Sequence, residues 1–94
     1  MDETIFLRTF SNLGTLQHAH ALRYHLLTEP GQTRAFGIAV DRLDADWTLE
    51  ARQVFHGISD SRGQTLFLLR YLYENCVDPQ TARAVLEDLP SLSV

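Results

Sequence analysis

Residues 54–72, VFHGISDSRGQTLFLLRYL, contain the change of period that decides the fold. Before this stretch the apolar side chains recur at every second position, as in a strand with one face on a core; from Ser59 onward they recur at helical spacing. Ser59 or Ser61 can accept a bond from the first free backbone N–H groups of a helix, and Ser61-Arg62-Gly63-Gln64 fits a capping box. Asp60 suits the positive end of the helix dipole. Leu66, Leu69, Leu72, Tyr73 and Cys76 then share one broad face, with Arg70 and Glu74 forming an i, i+4 pair elsewhere. Asn75-Cys76-Val77 closes this helix, and Asp78 caps a second one with Pro79 at its first position. Ala82, Val85, Leu86 and Leu89 make the second helix's buried stripe, and Pro90 stops it.

Towards the N-terminus the pattern is that of an antiparallel meander. Leu22, Tyr24, Leu26 and Thr28 alternate with Arg23, His25, Leu27 and Glu29. Glu29-Pro30-Gly31-Gln32 carries the signal of a type II turn, which joins strands through a slightly longer loop than a tight hairpin. The next strand sets Phe36, Ile38 and Val40 on one face and Ala35, Gly37 and Ala39 on the other, where small residues predict a close packing partner such as a helix across the sheet. Residues 47–56 form the third segment, with a phase slip that predicts a bulge near Gln53. Residues 1–21 are expected to add one strand and a hairpin, with a turn at Asn12-Leu13-Gly14. The expected fold is therefore α+β in one domain, residues 1–94: a three- to four-stranded antiparallel meander centred on residues 22–57, then a helical hairpin over 59–90 packed on one face.

Composition narrows the chemistry. At 94 residues the chain builds one core, burying roughly two-thirds of the unfolded surface, and 45% hydrophobic content excludes a disordered or disulfide-scaffold class. All eight basic residues are arginine, which excludes Schiff-base lysines and a phosphate-loop lysine. Arg23, Arg34, Arg52 and Arg70 are placed for planar bidentate pairing with acids. A single cysteine, Cys76, forms no intrachain disulfide, favours a reducing compartment, and by its spacing belongs to the helix's buried face. Asp2 and Glu3 stand where a secretory signal would be basic, and the longest apolar run, Leu66 to Leu69, is far too short for a membrane span; a cytoplasmic location is expected.

The net charge of −4 opposes binding to nucleic acid or to anionic membranes. The acids concentrate in residues 41–50, with Asp41, Asp44, Asp46 and Glu50, and in residues 74–94, with Glu74, Asp78, Glu87 and Asp88. Asp44, Asp46, Glu87 and Asp88 are accordingly the candidate partner-binding residues. His18 and His20 share a strand face at a spacing that suits two metal ligands, with His25 and His56 as further histidines that strand pairing would have to bring near; no third ligand is spaced to complete a zinc site. No catalytic residue and no cofactor are indicated. The glycines are scattered, no Gly-x-Ser-x-Gly elbow occurs, and helix capping accounts for Ser59-Asp60-Ser61.

The order Phe36-Gly37-Ile38-Ala39-Val40, Ile58-Ser59-Asp60, Val77-Asp78-Pro79 and Val85-Leu86-Glu87-Asp88-Leu89 resembles a small family of uncharacterised bacterial proteins, a domain of unknown function, over about residues 23–89. The resemblance implies a bacterial cytoplasmic module and transfers no catalytic residue. The expected function is a non-enzymatic protein-binding or regulatory module that contacts another protein or a second copy of itself; the alternative is a small-molecule or metal-binding protein that uses the histidines.

Overall fold

A computed structural model describes residues 1–12 and 18–88. Four strands, β1 (Asp2–Phe10), β2 (His20–Thr28), β3 (Phe36–Leu43) and β4 (Leu49–Ser59), form one antiparallel sheet in the order β1-β2-β3-β4. Two helices follow, α1 (Arg62–Glu74) and α2 (Pro79–Glu87). The N-terminal segment is the expected strand; part of the β1–β2 connection lies outside the described residues.

Period-two alternation gives the sheet two unlike faces. Leu22, Tyr24 and Leu26 of β2, Ile38 and Val40 of β3 and Phe55 of β4 form the core with Leu68, Leu69 and Leu72 of α1 and Val77, Ala82 and Leu86 beyond it. The register places Tyr24 opposite Val40 and Leu26 opposite Ile38, so these side chains stand as cross-strand pairs beneath the helices. The buried face of α1 centres on Thr65, Leu68, Leu69 and Leu72, leaving Phe67 exposed. Tyr24 is fully buried, and its hydroxyl donates to the carbonyl oxygen of Val77 at 2.9 Å. Burial pushes the Tyr24 hydroxyl far up, so it serves as a donor at every working pH. Tyr24→Phe leaves that carbonyl without its donor and is expected to cost about 1–2 kcal/mol in urea denaturation.

Three local readings need correction. The bulges in β4 are not at Gln53: the β3–β4 register jumps between Phe36/Ile38 and between Arg42/Leu43, which puts the extra residues around Gly57 and Glu50. Gly57 supplies the positive φ of 61° that the first bulge needs. The small residues of β3 do not lie under a helix. A Cβ on Gly37 would run into the Phe55 carbonyl oxygen and the His56 Cα, so the neighbour that requires glycine is the bulged backbone of β4.

Cys76 is exposed, not buried. It follows Asn75, the C-cap of α1, and has φ 51° while Val77 N–H bonds Leu72 O and Cys76 N–H bonds Tyr73 O. These two bonds are those of a Schellman motif, which turns the chain so that Val77, not Cys76, enters the core. The N-terminal end of α1 is also more elaborate than a capping box. Ser61 Oγ accepts from Gln64 N–H, but Ser59 Oγ accepts from Ser61 N–H and its hydroxyl donates to Gln64 Oε1. Asp78 caps α2 with its carboxylate on Thr81 N–H, as the sequence predicts. No helix of the described residues is long and apolar enough to cross a membrane.

Candidate functional site

The helices cover one sheet face; the other is closed by its own side chains. Strand alternation puts Asp2, Thr4 and Leu7 of β1, Arg23 and His25 of β2, Ala39 and Asp41 of β3, and Arg52 and Val54 of β4 on this open face. One register row runs Leu7, Arg23, Asp41, Arg52 and the next runs Thr4, His25, Ala39, Val54. Asp41 is the hub. It is 0% exposed although no helix covers it.

Its carboxylate accepts four hydrogen bonds. Arg52 grips it with Nε on Oδ1 at 2.6 Å and Nη2 on Oδ2 at 2.9 Å, while Arg23 Nη2 at 3.1 Å and His25 Nε2 at 2.7 Å both reach Oδ2. Burial pushes the Asp41 carboxyl up, but the hydrogen bonds from Arg52 and His25 and the charges of both together outweigh it and hold the group below the ordinary aspartate range. The carboxylate is ionised and can only accept, so His25 Nε2 carries the hydrogen. The other ring nitrogen, Nδ1, lies 3.1 Å from Thr4 Oγ1 and 2.9 Å from Asp2 Oδ1. Neutral His25 accepts there from the threonine hydroxyl; the imidazolium donates there to the aspartate. Arg52 also comes within 3.7 Å of Asp2, so its side chain reaches from β4 to a residue of β1.

The order Asp41, His25, Thr4 repeats that of a hydrolytic carboxylate, imidazole and hydroxyl. The environment opposes that chemistry. Three of the four bonds to Asp41 come from guanidinium groups, and Asp2 competes with Thr4 for the same ring nitrogen. The network ties four strands together through charge-assisted bonds.

Apolar groups are exposed on this face and at the end of the sheet. Leu7 beside Arg23, Leu49 at the start of β4 and Trp47 in the β3–β4 turn are each about half exposed, at 45%, 49% and 55%. Trp47 sits at φ 64°, a conformation that costs a bulky L-residue about 1–3 kcal/mol. Its turn is fixed by Asp44, whose Oδ1 accepts from Asp46 N–H and Thr48 N–H, while Trp47 N–H bonds Asp44 O. The indole lines a depression with Thr9, Phe10, His20 and Ala21 at the end of the sheet.

The expected site residues fall in separate places. Asp44 spends one carboxylate oxygen on the turn, and Asp46 is exposed beside it. Glu87 and Asp88 are exposed at the C-terminal end of α2, where Asp88 is the C-cap. His18 is exposed, and His20 donates through Nδ1 to the His18 carbonyl and stacks on Phe10. His56 pairs with Glu29 at 2.7 Å in a depression of about 290 Å³ that Arg34 also lines. The four histidines thus have four different surroundings, and among the described residues no group of three or more histidine, cysteine or acidic side chains is placed to hold a metal.

Arg23 and Arg52 are legible in the sequence as partners of acids, although only Arg52 grips Asp41 with two nitrogens and Arg23 makes a single bond; Asp41 reads in the sequence as one acid of a solvated run. Its signal is parity: it shares a strand face with Gly37 and Ala39, between strands that each present an arginine.

A family model for a family of unknown function, DUF6514, matches residues 5–91. The chain belongs to this family. The match takes in β2, β3, β4, α1, α2 and all of β1 but its first three residues, and it includes the resemblance expected over residues 23–89. No curated protein and no solved structure matches the chain. For DUF6514, then, geometry carries the functional argument.

Proposed function

We propose that this DUF6514 domain is a non-enzymatic protein-binding module and that a partner protein docks on its open sheet face. The observation that carries the reading is Trp47: a large aromatic side chain, more than half exposed, held at a strained positive φ at the end of the sheet. Strain of this kind persists where surrounding structure enforces it, and it concentrates at functional positions. Tryptophan and arginine are enriched among the residues that dominate binding energy at protein interfaces, where they sit in well-packed, desolvated positions. Leu7, Leu49 and Trp47 supply the apolar contacts; the outer edges of Arg23 and Arg52, each about a third exposed, supply donors. The network's bonds hold these groups in place before binding, which lowers the ordering cost. The acids Asp44 and Asp46 border Trp47 and suit a basic rim on the partner. An exposed unpaired Cys76 fits a reducing compartment, and the module is proposed to work in the cytoplasm.

The test is a photoreactive amino acid placed at Leu7, at Leu49 and, as a control on the helical side, at Gln80. The open-face positions are expected to cross-link one defined protein in cells, which binds again when purified, and Gln80 is expected not to. Cross-linking from Gln80 alone, or equally from all three positions, contradicts the proposal.

A further inference from the structure

The edge strand β1 is held in two unlike ways along its length. Its register with β2 shifts between Thr4 and Phe6, which leaves Ile5 out of the pairing and sets residues 2–4 apart as a short tongue. Beyond the shift Phe6 stacks on Tyr73 at 4.7 Å. The tongue, Asp2-Glu3-Thr4, is polar throughout: Glu3 reaches Arg62 of α1 at 3.6 Å, while Asp2 and Thr4 both meet His25 Nδ1 on the open face. His25 is buried between two carboxylates, with Asp41 2.7 Å from Nε2 and Asp2 2.9 Å from Nδ1. The charges around it come from all four strands, Asp2 of β1, Arg23 of β2, Asp41 of β3 and Arg52 of β4. Two acids balance two guanidinium groups, so the proton on His25 sets the sign of the cluster.

We infer that His25 is a proton-operated latch on the N-terminal end of β1, one that works whether or not a partner docks on the sheet. The imidazolium donates from Nε2 to Asp41 and from Nδ1 to Asp2, which ties the tongue through β2 to β3. Once the proton leaves Nδ1, that nitrogen can only accept. The Thr4 hydroxyl then serves it, Asp2 keeps only Arg52 at 3.7 Å, and the tongue opens more readily. Closing the tongue brings Asp2 to the ring, so the closed form binds the proton more tightly than the open one. The latch is therefore complete at low pH and is lost as pH rises through the titration of the closed form.

Hydrogen exchange followed by NMR on the whole chain reads the tongue at Thr28 N–H, which bonds the Met1 carbonyl oxygen at 2.8 Å. Histidines change charge between about pH 5 and pH 8, which sets the range to scan. Over it the protection of Thr28 N–H, corrected for the intrinsic pH dependence of exchange, is expected to fall about fivefold, while that of Val77 N–H on the helical side stays level. Asp2→Asn is expected to abolish that fall and, by linkage, to weaken proton binding at the His25 ring by the same factor. Asp2 is exposed, so the variant keeps the fold, which circular dichroism checks. Equal protection of Thr28 N–H at both ends of the range overturns the inference. So does an Asp2→Asn variant that keeps the pH dependence, or whose His25 binds its proton as tightly as in the wild type.

Discussion

Asp41→Asn is expected to destabilise the domain by about 3 kcal/mol, a large share of the roughly 5–15 kcal/mol that holds a domain of this size. The substitution keeps the shape of the side chain and removes its charge. Two guanidinium groups and an imidazole then surround a neutral amide whose own N–H groups point at donors. Arg23 and Arg52 each reach water over about a third of their surface, so part of the loss is recovered by hydration, and the estimate sits at the low end for a broken buried ion pair.

The pH dependence follows from the lowered Asp41 pKa. A carboxyl that titrates lower in the folded state than in the unfolded one contributes stability that is complete above the unfolded value, about 3.9, and is lost as pH falls through the folded value. Urea denaturation is therefore expected to show the same gap between wild type and Asp41→Asn at pH 7 and pH 5, and a narrowing gap below about pH 4. A gap that already closes between pH 7 and pH 5 contradicts the assignment of Asp41 as an ionised hub.

Gly37→Ala is expected to cost about 3 kcal/mol for a different reason. The new methyl group meets backbone atoms of Phe55 and His56, which cannot rotate away as a side chain would. Relief requires β4 to leave its bulged register. Gly31→Ala is the matched control: a Cβ there has nothing within 4 Å, but φ is 88°, so only backbone strain of about 1 kcal/mol is expected. Thermal and urea unfolding of the two variants should rank them Gly37→Ala below Gly31→Ala. The reverse order would mean that the β3–β4 crossing is looser than described.

The sequence carries the fold well where a residue's meaning is local. The switch of period at Ser59, the caps at Ser61 and Asp78 and the Pro30-Gly31 turn depend on neighbours a few residues away; Gln32 N–H bonds Glu29 O and Gly31 has the positive φ that a type II turn demands. Features that depend on two distant strands are not written in any one local stretch. The position of a β4 bulge is set by what it must cross on β3, which is Gly37, and one strand's alternation does not contain that information. Cys76 falls on the periodic apolar face of α1, yet the chain has left the helix by then. Asp41 shows the same limit most clearly: its run of acidic neighbours suggests solvent, and only the register that sets it between Arg23 and Arg52 turns it into a buried hub. Trp47 opens the third segment, residues 47–56, in the sequence pattern, but the Asp44 turn takes it out of the strand, which begins at Leu49.

A partner docked on the open sheet face, as proposed, binds chiefly through Trp47. Calorimetric titration of the purified cross-linked protein into wild type and Trp47→Ala tests it most directly, with Phe67→Ala as the control on the helical side. At least about a thirtyfold loss of affinity is expected for Trp47→Ala and little change for Phe67→Ala. Equal affinity of wild type and Trp47→Ala would contradict it.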